Sequence, residues 1–494
     1  MKIAGLDVGT TGCKIAVYDE NAVLLDTYYQ EYEVTRRNGQ HEISFEEIRK
    51  GVFALLKTAA REHRLTALGV TSFGETFAML DEDDRILAPS MLYTDPRGAK
   101  ETAALCAAIG EEKLTLLTGV KPHPMYSIAK MMWWKANHPE LYRRCKRILL
   151  GEDFIVYTLT GNARIDYSLA ARTAAFDIEK KSWIKEVFRA AGIDLSLMSE
   201  PVPTGSIAGT VTEKVKAELG IEYDFAVVNG AHDQVACMIG SGVFSTDCAM
   251  DGTGTVECIP VVLKEKPADP AFYACGYSVV PYLDGLYACY ALSFTGGATL
   301  KWFRDNFAEL EKANAEQEHH NVYARLDEKV PQAPTKLLVL PHFAGAATPY
   351  MDAGSKAAFV GLTLETTKMD LYKALMEGTS YEMLFNFNTM KAFTGQIKEI
   401  RATGGGASSD VWLQIKADIL NTEVTALSCK EVGAAGTAAL AGAAISQTDS
   451  LQETTAVMAP VRKVFAPKKE NARFYSEQYQ KYTKLYRAVK GLSS

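Results

Sequence analysis

Two short stretches carry the same set of polar residues. "GLDVGTTGCK" offers Asp7, Gly9, Thr10, Thr11 and Gly12, and "AMDGTGTVEC" offers Asp251, Gly252, Thr253, Gly254 and Thr255. Each is an apolar run, an Asp, a turn of glycines and threonines, then a second apolar run. A strand–turn–strand of this kind exposes backbone N–H groups, and glycine lets a phosphate approach them closely. Threonine hydroxyls add donors. A carboxylate beside a phosphate repels it unless a cation stands between them. Mg²⁺ keeps several waters and takes only one or two carboxylates. Asp7 is therefore expected in the shell of a Mg²⁺ ion. A ligand-free glycine hairpin accounts for one copy equally well. The repetition favours two phosphate-binding turns, one per domain, that hold a polyphosphate across a cleft.

Transfer of a phosphoryl group to an alcohol needs positioning, a metal and a carboxylate that accepts the hydroxyl proton. "NGAHDQVA" places Asp233 in a loop at the end of a strand over 225–228, where α/β sheets bind ligands. A helix cap is the competing role for Asp233, although Ala236 three residues on rules out a reciprocal capping box. His232 is a rival base, but a lone histidine beside a helix start is more often structural. The Gln234 amide can bind a sugar hydroxyl. In "TGGGASSDVWLQ", Gly404, Gly405 and Gly406 fall between a strand and a helix and can lie flat against an adenine or ribose. "SFTGGATLKWFRD", with Gly296 and Gly297, carries a similar weak signal. No Gly-Lys dipeptide of a Walker loop occurs, and "GSGVFS" lacks the third glycine of a dinucleotide fingerprint.

Elements of α/β type must position these residues. Ile48, Val52, Leu55 and Leu56 fall on one face of a helix over 46–62, and strand patterns surround it. Helices are also expected before Pro139, from about Met369, and at the C-terminus, where Tyr475, Tyr479, Tyr482 and Leu485 share a packing face. The 494 residues divide at ~100–200 per domain into two large domains or three ordinary ones. The repeated turn puts the boundary near 244–247, giving domains over 1–245 and 246–494. A net charge of −7 without any strongly basic stretch argues against nucleic acid. The start "MKIAGLDVG" reads as a strand and not as a signal peptide, and no apolar run has the length of a membrane span. Nine cysteines without a CxxC pair read as reduced, mostly buried thiols of a cytoplasmic enzyme.

These residues resemble the FGGY carbohydrate kinases, within the actin/hexokinase/Hsp70 ATPase superfamily. The resemblance rests on "GLDVGTTGCK", "SFGETFAMLD", "YTDPRG", "YSIAKMMWWKANHPE", "NGAHDQ", "DGTGT", "PYMD", "GLTLETTKMDLYKALMEGTSYE" and "TGGGASSDVWLQIKADILN", in that order. It implies two ribonuclease-H-like domains with a ligand cleft between them, and ATP with Mg²⁺. By motif position it implies Asp233 as catalytic base and Asp7 as the metal-associated Asp. Thr10, Thr11 and Lys14 fall at phosphate contacts, and Gly252, Thr253, Gly297, Gly405, Gly406 and Ser409 at other nucleotide contacts.

The sugar-reading loop of the family falls at "SFGET", so Gly74, Glu75, Thr76, Asp233 and Gln234 are the expected acceptor contacts. Glu75 and Thr76 match the glycerol kinases, but Gly74 stands where those place an Arg. Gly74 is therefore expected to leave room for a larger polyol or ketose, with Glu75 accepting two hydroxyl hydrogen bonds. A structural pairing of Glu75 with an arginine such as Arg97 is the competing role. Tyr93, Pro96 and Lys356 also depart from the family pattern. The expected activity is ATP-dependent phosphorylation of a ketopentose such as xylulose. Polyols and sugar acids (glycerol, erythritol, gluconate) come next, and an ATP-binding switch without a sugar acceptor is the alternative of another class. The expected partner is a small sugar or polyol, with a homodimer as the candidate assembly.

Overall fold

The computed structural model describes residues 1–448 and 450–492. The first hairpin forms as expected. Lys2–Val8 and Gly12–Tyr18 pair antiparallel with Asp7 opposite Lys14, and Leu24–Glu31 extends the ladder on the far side. On the other flank of the first strand lie Leu65–Ser72 and then Ala226–His232, both parallel to it. A short antiparallel strand, Ile207–Thr210, closes that edge.

The C-terminal half repeats this plan. Cys248–Thr253, Glu257–Leu263 and Tyr287–Ser293 are antiparallel neighbours, and Glu399–Thr403 and Glu423–Leu427 run parallel on the other flank of the first of them. Ser278–Pro281 and Val461–Phe465 add an edge strand at each side. Three antiparallel strands followed by two parallel ones, twice in one chain, are the two ribonuclease-H-like cores of an actin-like ATPase fold.

The central strands are buried on both faces, which is why they read as near-continuous apolar runs. Ile3, Ala4, Leu6 and Val8 have no exposed surface. The helix Phe45–Glu62 covers one side of the first sheet. Ser44 caps it by accepting from the Glu47 N–H, and Ile48, Val52 and Leu56 sit in the core.

A helix from the C-terminal half, Val432–Ala444, crosses onto the N-terminal sheet. Glycines permit the approach at backbone distance. A Cβ on Gly5 would lie 1.9 Å from the Ala434 carbonyl oxygen, and one on Gly436 would lie 2.1 Å from that of Ala236. A cut at 245/246 therefore separates the two sheets in sequence but leaves this helix, from the second stretch, packed on the first sheet.

Two expectations change in detail. The strand over 225–228 runs on to His232, so Asp233 is not in a loop; it is the first residue of the helix Asp233–Gly240. Within it the buried Asn229 amide donates to Glu152 Oε1 and to the Arg164 carbonyl at 3.0 and 2.7 Å. Near Pro139 the helix Ser127–Asn137 stops, but a further turn, Pro139–Arg144, starts at the proline, whose missing N–H costs nothing at a first helical position. The helix expected from about Met369 is Lys368–Thr394, opened by a capping box of Thr367 and Asp370. The C-terminal helix Lys469–Val489 buries Tyr475, Tyr479, Tyr482 and Leu485 as the spacing predicts.

Candidate active site

Asp7 is the last but one residue of the first strand, just before the turn Gly9–Gly12. The Gly9 N–H closes that turn on the Gly12 carbonyl at 2.9 Å. Glycine at 12 permits a close backbone approach, since a Cβ there would lie 2.7 Å from the Gln30 carbonyl oxygen. Thr10 is half-buried and Thr11 exposed. Lys14, across the hairpin from Asp7, reaches past it to Glu431 Oε2 at 2.7 Å. Glu431 is the N-cap residue of the crossing helix. Asp7 itself accepts no hydrogen bond from the described residues, and burial pushes its carboxyl up to about 6, against the pull of Lys14. Gly433 leaves the carboxylate open; a Cβ there would stand 2.9 Å from Asp7 Oδ2.

Asp233 faces the same space. It does not cap its helix: the N-cap is His232, whose side chain makes no capping bond. Burial, then the charges of Asp7 and Glu75, push the Asp233 carboxyl up to about 7. Its Oδ1 is buried without a hydrogen bond. Gln234 beside it is half-buried.

The "SFGET" loop is a tight turn about Glu75. The Thr76 N–H donates to the Gly74 carbonyl at 2.8 Å, and Glu75 takes φ +66°. A side-chain-bearing residue in the left-handed region is held there by its surroundings, commonly at functional sites. Its carbonyl accepts from Ser127 Oγ at 2.7 Å. Its carboxylate pairs with Arg172, both side chains buried, through Nε at 2.7 Å and Nη2 onto the same oxygen. The arginine is thus not Arg97, which is bound to Asp95 and Glu42. Thr76 Oγ1 is buried without a partner.

The room expected over Gly74 is filled by protein. A Cβ there would meet His232 Nε2 at 3.0 Å and Arg172 Cγ at 3.2 Å. Arg172 also lies over the Tyr126 ring, 5.2 Å from its centroid. Burial and the Arg172 charge hold the His232 imidazole well below its ordinary pKa, so the ring is neutral.

Residues of the second half line a cavity of about 810 Å³. Gly297, Gly405, Gly406 and Ser409 all face it, with Gly254, Thr255, Tyr323 and Trp412. The helix Gly297–Phe307 docks on the second turn, where the Gly297 N–H donates to the Gly254 carbonyl at 2.8 Å. Gly404 and Gly406 pack on Thr253, with Cβ positions 2.7 and 2.6 Å from it. Ser409 caps the helix Asp410–Leu420, its Oγ accepting from the Trp412 N–H at 3.1 Å.

Gly252 and Thr253 do not line this cavity. Thr253 is buried, and its hydroxyl is committed inward, 2.6 Å from Asp251 Oδ1 and 3.0 Å from Glu257 Oε1. It also accepts from Lys416 Nζ at 2.8 Å. Lys416 donates to Asp251 and Glu257 as well, so three ionisable groups close a buried knot behind the turn. The hydroxyl donor expected at Thr253 is therefore spent, and the turn has only its backbone and Thr255 to offer.

Arg172 and Lys416 escaped the sequence reading. Arg172 is 97 positions from Glu75, beyond any local pattern. Lys416 had a signal: it interrupts the apolar face of Trp412, Ile415 and Ile419 on a helix that turns out to be buried.

The chain matches the model of the FGGY family of carbohydrate kinases, with the N-terminal domain over residues 2–240 and the C-terminal domain over 252–445. It is 25% identical to a xylulose kinase of Staphylococcus xylosus, across 98% of this chain and 99% of the relative. It is 26% identical to a gluconokinase of Bacillus subtilis (90% and 88%) and 28% identical to a glycerol kinase of Thermococcus gammatolerans (94% and 93%). Among solved structures, a ligand-bound xylulose kinase and a gluconate kinase, both from Lactobacillus acidophilus, superpose with a TM-score of 0.89 at 23% identity. They cover 100% and 99% of this chain, and 99% and 98% of their own. The chain belongs to the FGGY family and is a carbohydrate kinase, for which the family implies ATP as co-substrate. The alternative of a switch without an acceptor falls with that membership.

Proposed function

We propose that this kinase transfers the γ-phosphoryl group of ATP to a hydroxyl, the terminal one, of a small ketose, with a ketopentose such as xylulose as first candidate. The observation that carries the reading is the Asp233 carboxyl, at a helix start beside the charges of Asp7 and Glu75, with its charged form disfavoured. A base whose pKa sits near neutrality takes a hydroxyl proton efficiently. Thr10, Thr11, Lys14 and the backbone of the second turn serve the phosphates. Gly297, Gly405, Gly406 and Ser409 serve the nucleoside in the 810 Å³ cavity. Gly252 and Thr253 set the shape of the second turn.

Mg²⁺ fits this reading. Asp7 is a single open carboxylate without a partner among the described residues, beside the first turn, and Mg²⁺ asks for little more than that. Bound there, the ion would offset phosphate charge. Glu75, Thr76 and Gln234 contact the acceptor, with Gly74 as backbone only. Nine free thiols suit a cytoplasmic location, and a small sugar is the partner.

One observation favours a sugar acid as second reading. Arg172 Nη1 is buried without a partner, and a carboxylate would satisfy it. A coupled ADP-release screen over pentuloses, hexuloses, polyols and sugar acids decides. Fastest turnover of xylulose supports the first reading, and fastest turnover of gluconate the second. Asp233→Asn should nearly abolish turnover of either while ATP still binds; retention of most of kcat removes Asp233 from the chemistry.

A further inference from the structure

The His232 side chain sits between Gly74, Arg172, Tyr290 and the proposed base. Its Nε2 is 3.2 Å from Asp233 Oδ1, and its Nδ1 is 3.5 Å from the Tyr290 hydroxyl. A side chain at residue 74 would crowd the ring, since a Cβ there would lie 3.0 Å from Nε2. Its backbone is pinned too. The His232 N–H donates to Ser168 Oγ at 2.9 Å, and Ser168 Oγ donates to Asp166.

We propose that His232 is a positioning residue: it holds Asp233 Oδ1 through its Nε2–H and so aims Oδ2 at the acceptor hydroxyl. The inference rests on Asp233 being the base. The tautomer follows from the neighbours. The imidazole is neutral beside Arg172, so it has one N–H to give. The Tyr290 phenol can donate to Nδ1 or accept from it, whereas the Asp233 carboxylate, ionised as a base must be, can only accept. The single imidazole proton is therefore on Nε2, facing the carboxylate. The contact is within reach but not aligned, because Oδ1 makes no hydrogen bond in the ligand-free chain. Catalytic hydrogen bonds commonly tighten only when substrate binds. In the transfer, the acceptor oxygen bonds to the γ-phosphorus as the bond from that phosphorus to the β–γ bridging oxygen breaks. ADP leaves with that oxygen, the hydroxyl proton goes to Asp233 Oδ2, and His232 keeps its own proton.

The test compares His232→Leu, His232→Gln and Asp233→Asn in the full chain. ADP release is read with xylulose, gluconate and glycerol, and without a sugar, where water is the acceptor for the same base. His232→Leu should lower kcat roughly ten- to a hundredfold, the worth of one hydrogen bond to a charged group, with KM for ATP unchanged. Glutamine carries an amide N–H close to the place of Nε2, so His232→Gln should recover most of kcat; a merely space-filling role would not separate the two. Full kcat in His232→Leu, or equal losses in both variants, overturns the proposal. Should the leucine variant not fold, Tyr290→Phe takes its place. Without the phenol at Nδ1 the ring is held less firmly towards Asp233, so this variant should lose kcat severalfold at constant KM for ATP, and an unchanged kcat overturns the proposal. An active Asp233→Asn overturns the base assignment itself. An inactive Asp233→Asn beside a fully active His232→Leu overturns only the positioning role.

Discussion

Arg172 commits two nitrogens, Nε and Nη2, to a single oxygen of Glu75, Oε1. The pairing leaves Glu75 Oε2 and Arg172 Nη1 without a hydrogen bond among the described residues. Glu75 thus has the competing role weighed from the sequence, as an arginine's partner; under the proposed reading its second oxygen meets a sugar hydroxyl.

Arg172→Lys should therefore damage the acceptor side alone. Lysine keeps the charge but loses the planar fork, so Glu75 is no longer held in one orientation. We expect kcat/KM for the acceptor to fall about tenfold or more, a loss of ~1.4 kcal/mol or above. KM for ATP should stay within about twofold. Steady-state kinetics with each substrate varied in turn checks this; a rise confined to KM for ATP would place Arg172 on the nucleotide side.

Asp7→Asn should raise the Mg²⁺ concentration needed for half-maximal rate. The amide keeps the shape and loses the charge that would draw the ion's shell. Titration of activity with Mg²⁺ at saturating ATP is the measurement, and saturating metal should restore part of the rate. Identical Mg²⁺ curves for the variant and the parent would free Asp7 of any metal role.

Thr253→Val should cost stability before it costs nucleotide affinity. The hydroxyl links Asp251, Glu257 and Lys416 in a knot without solvent, and valine leaves those groups short of a partner. An unsatisfied buried polar group costs about 1–3 kcal/mol. A drop in the midpoint of chemical denaturation is expected, together with a raised KM for ATP because Gly404 and Gly406 rest on Thr253. Thr253→Ser should restore both. A raised KM at unchanged stability would show instead that the hydroxyl meets the nucleotide directly.

The sheets, the paired turns and the main helices were legible in the sequence because each depends on local pattern. Apolar runs flank Gly-Thr turns, and Ile48, Val52 and Leu56 repeat at helical spacing. Asp233, Glu75 and the triple glycine stood out because motif order carried them. What could not be read was tertiary. The helix Val432–Ala444 is nearly all Ala and Gly, so it shows no amphipathic stripe, and its crossing onto the first sheet depends on glycines from several segments meeting in space. Gly74 misled for the same reason. A missing side chain looks like free volume until the neighbours, here His232 and Arg172, are known to fill it.

The last expectation concerns pH and lies away from the cleft. Asp153, in the first turn of the helix Gly151–Thr160, is fully buried with Ser199 Oγ donating to its Oδ2 at 2.5 Å and no partner at Oδ1. Burial pushes its carboxyl up to about 8, from an ordinary value of 3.8. The folded chain therefore holds a proton here that the unfolded chain has already released. Between these two values the native state binds more protons, so stability falls as pH rises. The loss begins above about 4, continues towards 8 and stops beyond it. Glu152 beside it, also buried and raised, acts in the same direction. Asp153→Asn mimics the protonated acid and cannot ionise. Urea denaturation midpoints between pH 6 and 9 should fall with pH in the parent and fall less steeply in Asp153→Asn, with the variant the more stable of the two at the alkaline end. Parallel pH profiles would mean that Asp153 is already ionised in the folded chain and that its charge is met by a partner not evident in the buried cluster of Glu152, Asp166 and Asn229.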